Sequence, residues 1–212
     1  MKLIAITKPD FYDGEAAFIK RLFESGFDIV HLRKPCCRDV ARRVHSNDVA
    51  RCVHNNDLAH RVHNNDLAHR VHIDCICNIL NELSSEERSR IVVHDYPELY
   101  YEFSLKGFHI NKNIVKYPEG YQGLKTRSCH SLEEVKLYKN DFDYVFLSPI
   151  FDSISKQGYK SAFTQDELRR ASEEGIIDEK VVALGGVTYD RIPLLKDLGF
   201  GGAAMMGGAF IS

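Results

Sequence analysis

Two glycine pairs near the end of the chain have the composition of a phosphate site. Gly185-Gly186 follows an apolar run that begins at Val181, and Gly207-Gly208 follows a second run that begins at Gly202. Glycines directly after buried strands let an anion approach backbone N–H groups closely, and phosphate sites of barrels often lie there. The same glycines could instead serve only to form tight turns. Because two consecutive runs share the feature, the sequence favours phosphate binding.

Imidazole, hydroxyl and carboxyl groups that could bind or protonate a ligand end most of the other apolar runs. They occur at Thr7, 31–33, 94–95, His109, 128–130 and Ser148. In a closed parallel barrel every strand end contributes to one face, whereas an open doubly wound sheet concentrates its site at one switch point. A distribution along the whole chain therefore favours the barrel over the open sheet.

The apolar runs predict eight strands that alternate with helices. The predicted strands are 2–7, 28–33, 91–95, 107–110, 124–130, 144–148, 181–187 and 202–206. Sequences typical of a capping box begin two of the helices, at 131–134 and 164–167. We therefore predict an α/β fold, a (β/α)8 TIM barrel that forms a single domain over residues 1–212. The chain stops just after the eighth strand, so we expect the last helix to be missing and the exposed apolar surface to favour a homo-oligomer.

Composition restricts the class of protein. The net charge of −2 gives no reason to expect nucleic acid as a partner, and no apolar run approaches the roughly 20 residues of a membrane span. The N-terminus does not resemble a signal peptide, and the six cysteines are irregularly spaced, as expected of reduced thiols. We expect a cytoplasmic enzyme that acts on small molecules.

A tandem repeat with a period of nine interrupts the pattern at about 40–72. Copies of Val-His-x-Asn-Asp begin at Val44, Val53 and Val62, and a fragment begins at Val71. Nine residues rotate a helix by two and a half turns, so successive copies present opposite faces. The repeat is therefore predicted to be an insertion that extends the second helical region. Histidines three residues apart, such as those at 60 and 63, could bind a metal, but we favour a solvated insertion without that role.

Six segments, in order along the chain, resemble thiamine-phosphate synthases. They are 31–34 (HLRK), 94–95 (HD), 107–110 (GFHI), 128–131 (SCHS), 148–156 (SPIFDSISK) and 183–186 (ALGG). The resemblance implies a transferase of thiamine biosynthesis. Such an enzyme joins hydroxymethylpyrimidine diphosphate to thiazole phosphate and releases diphosphate, so the expected partners are these phosphorylated precursors.

The resemblance also implies a role for individual residues. Arg33 would bind the diphosphate, Asp95 would hold Mg²⁺, and Ser128 would lie near the pyrimidine or diphosphate. Ser153, Ser155 and Lys156 would stabilise the departing diphosphate. The thiazole phosphate would lie against Gly185, Gly186, Met206 and Gly207. The full predicted set has Arg33, Lys156, Ser128 and His130 as catalytic residues, and His31, Lys34, His94, Ser153, Ser155, Gly185, Gly186, Met206 and Gly207 as substrate-binding residues.

Several positions depart from the synthase pattern. The family has glutamine where His31 stands and asparagine where His94 stands. It has lysine at Pro35, for which Lys34 is an approximate substitute. Its second metal aspartate corresponds to Ile114, so the resemblance implies a weakened Mg²⁺ site.

Two other functions stay open. His31, the segment 127–134 and the glycine-rich end resemble a sister group, the thiazole tautomerases, in which His130 would move a proton on the thiazole carboxylate phosphate without a metal. The repeat, the missing last helix and Ile114 would suit a phosphate-binding pseudoenzyme without turnover.

Overall fold

Eight parallel strands close into a barrel in the computed structural model, which describes residues 1–34, 65–111, 116–152 and 161–206. Each strand pairs with the next one along the chain, and the eighth pairs with the first. The strands are β1 Lys2–Ile6, β2 Ile29–Leu32, β3 Ile91–His94, β4 Gly107–Ile110, β5 Leu124–Cys129, β6 Tyr144–Leu147, β7 Val181–Leu184 and β8 Gly202–Met206. The predicted TIM barrel is confirmed, and the open sheet is wrong.

Helices lie between consecutive strands on the outside of the barrel, except between β4 and β5, where the described residues contain no helix. They are α1 Glu15–Glu24, α2 Asn65–Asn81, α3 Ser85–Arg88, α4 Glu98–Phe103, α5 Leu132–Tyr138, α6 Gln165–Glu173 and α7 Ile192–Asp197, with 3₁₀ turns at Lys139–Asp141 and Tyr189–Arg191. Within the described ranges, none of these helices has both the length and the apolar character of a membrane span.

The capping boxes are confirmed at α6 and corrected at α5. Thr164 accepts from the backbone N–H of Glu167, whose carboxylate accepts from the Thr164 backbone in return. Ser131 caps α5 in the same way, but the carboxylate of Glu134 accepts from the backbone N–H of His130 at 2.6 Å. The carboxylate of Glu134 therefore accepts from His130, a residue of the predicted site, and not from the N-cap residue Ser131 as predicted.

Side chains along each strand point alternately into two hydrophobic cores. The larger core lies between the strands and the helices. The smaller core fills the barrel interior and consists of Ile4, Ile6, Ile29, Val92, Tyr144, Phe146, Val182 and Ala204. Because neighbours along a strand point to opposite faces, His31 and His94 also point inward, two residues after Ile29 and Val92.

Two predicted irregularities fall largely outside the described residues. Of the insertion at about 40–72, the structure describes only the part that belongs to α2, from Asn65 onward. Residues 207–212 are likewise not described, so the expected absence of an eighth helix stays a prediction, as does the single-domain organisation.

Candidate active site

The predicted site residues that the structure describes mostly belong to one end of the barrel. Arg33 and Asp95 directly follow β2 and β3, Ser128 lies near the end of β5, and Met206 ends β8. Because all strands run parallel, these positions share the carboxyl end, where barrel enzymes carry their chemistry. Ser153, Ser155, Lys156 and Gly207, together with Ile114, lie outside the described residues.

Asp95 has a backbone conformation that few residues adopt. Its φ is +66°, a left-handed value that asparagine and aspartate tolerate best among residues other than glycine. The side-chain amide of Asn111, just after β4, donates a hydrogen bond to the Asp95 carboxylate. The carboxylate is therefore held in place at the barrel end, and Asn111 is a residue that the sequence did not single out.

The donor set around Asp95 fits Mg²⁺ in part. A carboxylate and a neighbouring amide are oxygen-bearing groups of the kind Mg²⁺ prefers, and this ion usually completes its shell with substrate phosphates and water. Among the described residues, Asp95 belongs to no cluster of three potential metal ligands. A magnesium ion here would thus depend on a diphosphate substrate for most of its ligands.

Three histidines form a buried cluster just inside the barrel end. The rings of His94 and His109 stack at 4.5 Å, and the ring of His31 meets both edge-on. Nδ1 of His31 and Nε2 of His94 are 3.0 Å apart. Only His31 and His94 were predicted as site residues, and both were assigned to substrate binding.

Burial and neighbouring charges keep these imidazoles neutral at pH 7. Burial, together with the neighbouring His109, holds the pKa of His31 well below its usual value, and burial chiefly does the same for His94. Burial also lowers the pKa of His109 to about 3, helped by the charges of Arg127 and Arg33. Neutral imidazoles keep a lone pair on one nitrogen of each ring, available as a base, an acceptor or a metal ligand.

Ser128 belongs to a hydrogen-bonded chain through His109. Nε2 of His109 lies 3.1 Å from Oγ of Ser128, and Nδ1 lies 2.8 Å from Oγ1 of Thr126. This arrangement orients the half-buried hydroxyl of Ser128, which was predicted to lie near the pyrimidine or diphosphate. His109 was part of the quoted GFHI segment, but it was not among the predicted site residues.

Lys34 lies in a fully buried ion pair. Its ammonium is 2.7 Å from Oε1 of Glu15, and neither side chain is exposed to solvent. It also donates to the backbone carbonyls of Lys8 and Asp10 at 2.9 and 2.7 Å. Burial raises the pKa of Glu15, and the lysine opposes that shift. Protein groups surround this ammonium, which favours a structural role over the predicted contact with substrate.

The turn after β7 requires its glycines for two reasons. Gly185 and Gly186 have φ values of +94° and +63°, which end the strand at Leu184, three residues earlier than predicted. A Cβ on Gly186 would lie 2.3 Å from the carbonyl oxygen of Asp152. The turn thus packs against the loop after β6, and this geometry accounts for the glycines whether or not they bind phosphate.

His130 is exposed at the end of β5. Its Nδ1 lies 3.2 Å from the carbonyl oxygen of Ser148, which orients the ring if Nδ1 carries the proton. In that tautomer Nε2 is the basic nitrogen. This geometry is compatible with the predicted role of His130 in proton transfer.

Sequence comparisons relate the chain to proteins of thiamine metabolism. Residues 68–209 match a family model described as thiamine monophosphate synthase. The chain is 29% identical to the thiamine-phosphate synthase of Limosilactobacillus reuteri over 58% of its length, and 27% identical to that of Lactococcus lactis over 60%. It spans 59% and 61% of the lengths of these two relatives.

Structural comparisons extend the similarity over nearly all of the chain. A crystal structure of thiamine phosphate pyrophosphorylase from Bacteroides thetaiotaomicron is 37% identical, with a TM-score of 0.70 over 98% of this chain and 83% of that one. A Pyrococcus furiosus thiamine phosphate pyrophosphorylase has a TM-score of 0.59 at 18% identity, covering 97% of this chain and 85% of that one. A mutant tryptophan synthase alpha-subunit of that organism has a TM-score of 0.55 at 14% identity, covering 97% and 86%. The two Pyrococcus structures support the barrel fold alone.

Proposed function

Because the chain belongs to the thiamine monophosphate synthase family, we propose that it is a thiamine-phosphate synthase that joins hydroxymethylpyrimidine diphosphate to thiazole phosphate. The observation that carries the proposal is the placement of Arg33, Asp95 and Ser128 at the same end of one barrel. A guanidinium, a carboxylate and a hydroxyl in that arrangement suit a diphosphate with its counter-ion.

Each of these residues has a defined task in the proposed reaction. Arg33 binds diphosphate oxygens through the two donors of its guanidinium fork. Asp95, held by Asn111, supplies an oxygen ligand for Mg²⁺, which when bound neutralises charge on the diphosphate. Ser128, held by His109, donates or accepts a hydrogen bond at the pyrimidine or diphosphate. Their shared effect is to stabilise the negative charge that develops as the diphosphate leaves the pyrimidine methylene carbon.

The thiazole phosphate is assigned to the ends of β7 and β8. Gly185 and Gly186 form the half-buried turn that follows β7, and Met206 ends the adjacent strand with 44% of its surface exposed. Phosphates in barrels frequently bind at the loops after these two strands. Only β1 separates β8 from β2, so the nucleophilic thiazole nitrogen and the carbon that bears the diphosphate would meet at one barrel mouth.

A coupled assay tests the proposal. Purified protein is given both precursors with Mg²⁺, and thiamine phosphate and diphosphate are quantified by chromatography. We expect both products in equal amounts and no reaction in excess chelator. Arg33→Ala should reduce turnover, with Arg21→Ala on the exposed side of α1 as the matched control. No product from the wild-type protein with either Mg²⁺ or Mn²⁺ would refute the assignment.

A thiazole tautomerase is the second candidate, and the exposed imidazole of His130 favours it. With Nδ1 bound to the Ser148 carbonyl, Nε2 is free of that contact and could exchange a proton with a bound thiazole carboxylate phosphate. Isomerisation that persists in chelator and is lost in His130→Asn would select this function. Binding of thiazole phosphate without either reaction would instead identify a pseudoenzyme.

A further inference from the structure

The buried histidine cluster brings together ligand atoms from three consecutive strands. His31 of β2, His94 of β3 and His109 of β4 each offer a ring nitrogen, and these three nitrogens lie within 4.8 Å of one another. The strand pairing creates the cluster. His94 is paired with His109, and His31 is paired with Val92, which lies two residues before His94 on the same face of β3. Residues far apart in sequence are thereby placed around one point inside the barrel.

The spacing is close to that of ligands on a tetrahedral metal ion. Two imidazole nitrogens bound to one Zn²⁺ at about 2.0–2.1 Å are about 3.3 Å apart. Nδ1 of His31 and Nε2 of His94 are already 3.0 Å apart. The third nitrogen lies within 4.8 Å of the other two.

Hydrogen bonds on the outer side of two rings orient them toward this point. Nε2 of His31 is 2.5 Å from the hydroxyl of Tyr144, and Nδ1 of His109 is 2.8 Å from Oγ1 of Thr126. Histidine ligands of metals commonly use their second nitrogen in this way, which fixes the tautomer and the ring direction. The other nitrogens are Nδ1 of His31, which lies 3.0 Å from Nε2 of His94, and Nε2 of His109, which would exchange its 3.1 Å contact with Oγ of Ser128 for the metal.

We propose that His31, His94 and His109 form a binding site for a transition-metal dication of the Zn²⁺ type. Three imidazoles are the donor set of an open zinc site, in which a fourth position is left for water or substrate. His94 lies at the end of β3 and retains 8% of its surface exposure, whereas His31 has none. Imidazole donors do not favour Mg²⁺, so this site is chemically distinct from the one proposed at Asp95.

Two further observations agree with the proposal. Burial chiefly lowers the pKa values of the three imidazoles, so each ring keeps a lone pair at neutral pH. Two of the three histidines also stand where the resembled synthases have glutamine and asparagine, so the site would be a feature of this chain and not of the family pattern. The alternative is a layer of imidazoles joined only by hydrogen bonds.

Metal binding by the full chain distinguishes these alternatives without any enzyme assay. Protein freed of metal with a chelator is titrated with Co²⁺, and the visible absorption of the bound ion is recorded. We expect saturation at one equivalent, displacement of Co²⁺ by Zn²⁺ and little effect of Mg²⁺. The midpoint of thermal unfolding should rise with bound Zn²⁺. Absence of any saturable binding would overturn the proposal.

Variants separate the cluster from the histidine-rich repeat. His94→Asn introduces the residue type of the resembled family and should weaken binding by at least about 100-fold. The double variant His60→Gln and His63→Gln, within the repeat, should bind Co²⁺ as the wild type does. Loss of binding in the repeat variant, with retention in His94→Asn, would overturn the proposal. If His94→Asn does not fold, X-ray absorption spectra of the Zn²⁺-loaded repeat variant provide the test instead. We expect three imidazole nitrogens around the metal, and fewer than three would contradict the site.

Discussion

The two sides of the barrel interior are equally buried but chemically opposite. On β7, β8 and β1 the inward side chains are aliphatic, and Ile4, Val182 and Ala204 are each no more than 1% exposed. On β2, β3 and β4 the inward positions nearest the barrel mouth are histidines that are no more than 8% exposed. One continuous sheet therefore encloses both an apolar region and an imidazole region.

The contrast indicates which side serves stability and which serves chemistry. Burial of aliphatic surface contributes roughly 25 cal/mol per Å² to folding, whereas burial of a polar ring costs free energy unless hydrogen bonds compensate it. The imidazole side has those bonds, to Tyr144, Thr126 and Ser128. It is thus tolerated by the fold, and stability alone would not favour it over the aliphatic alternative. The predictions that follow test this division, beginning with the largest expected effect.

Asp95→Asn should nearly abolish synthase activity while it leaves the fold intact. Asparagine tolerates the φ of +66°, and it retains an oxygen that can accept from Asn111, so little strain is introduced. The lost charge should lower turnover by about 10²–10³-fold. Asp28→Asn, at the opposite end of the barrel, is the matched control in the same assay. Equal turnover in the two variants would remove Asp95 from the mechanism.

Ile4→Ala should lower the stability of the fold while it leaves synthase activity intact. Ile4 is completely buried on the aliphatic side, so its truncation should lower the free energy of unfolding by about 3 kcal/mol. Urea unfolding measures this loss, and Ile4→Val should show a loss of about 1 kcal/mol. Turnover per folded molecule should stay at the wild-type level. A large fall in turnover with unchanged stability would contradict the division between the two sides.

The sequence predicted the aliphatic side more completely than the imidazole side. Short apolar runs separated by helical segments were sufficient for eight strands, and most errors were confined to strand ends. The strand predicted at 181–187 ends at Leu184 because two successive glycines adopt positive φ values. The positive φ values are a local property of the backbone, and the two glycines that adopt them can be read from the sequence.

The imidazole side depends on registers that the sequence does not display. His109 joins the other two histidines only because β3 and β4 align it with His94. The three histidines nevertheless share a feature of the sequence. Each lies two residues after an inward position of its strand, so each is expected to point into the barrel. Asn111 and Tyr144 could not have been selected in this way, because their contacts with Asp95 and His31 cross between strands.

The pH dependence of stability should report the buried imidazoles. The pKa of His109 is lowered to about 3 in the folded protein and is near 6.5 when the chain is unfolded. Between these values only the unfolded state binds the proton, so stability is fully present above pH 6.5 and declines as the pH falls toward 3. From pH 7 to pH 5 this single group should cost about 2 kcal/mol.

Comparison with His109→Gln isolates that contribution from those of carboxylates and other histidines. Glutamine can still bond to Thr126 or Ser128 but does not titrate. Urea unfolding of metal-free protein at both pH values should show a loss that is about 2 kcal/mol smaller in the variant than in the wild type. Equal losses in the two proteins would indicate that His109 is accessible to protons in the folded state.

Tyr144→Phe should produce the smallest change, and it tests whether hydrogen bonds compensate the buried imidazoles. Burial holds the pKa of Tyr144 well above its usual value, so the side chain is a neutral hydroxyl that meets Nε2 of His31 at 2.5 Å. Without the hydroxyl, Nε2 of His31 loses this partner, and His31 has no exposure to solvent that could replace it. The free energy of unfolding, measured in urea, should therefore fall by about 1–2 kcal/mol. The double variant with His31→Leu should regain part of this loss, because an aliphatic side chain needs no such partner. Strict additivity of the two losses would mean that the hydroxyl and the imidazole are not energetically coupled, and the imidazole side would then lack the compensation inferred for it.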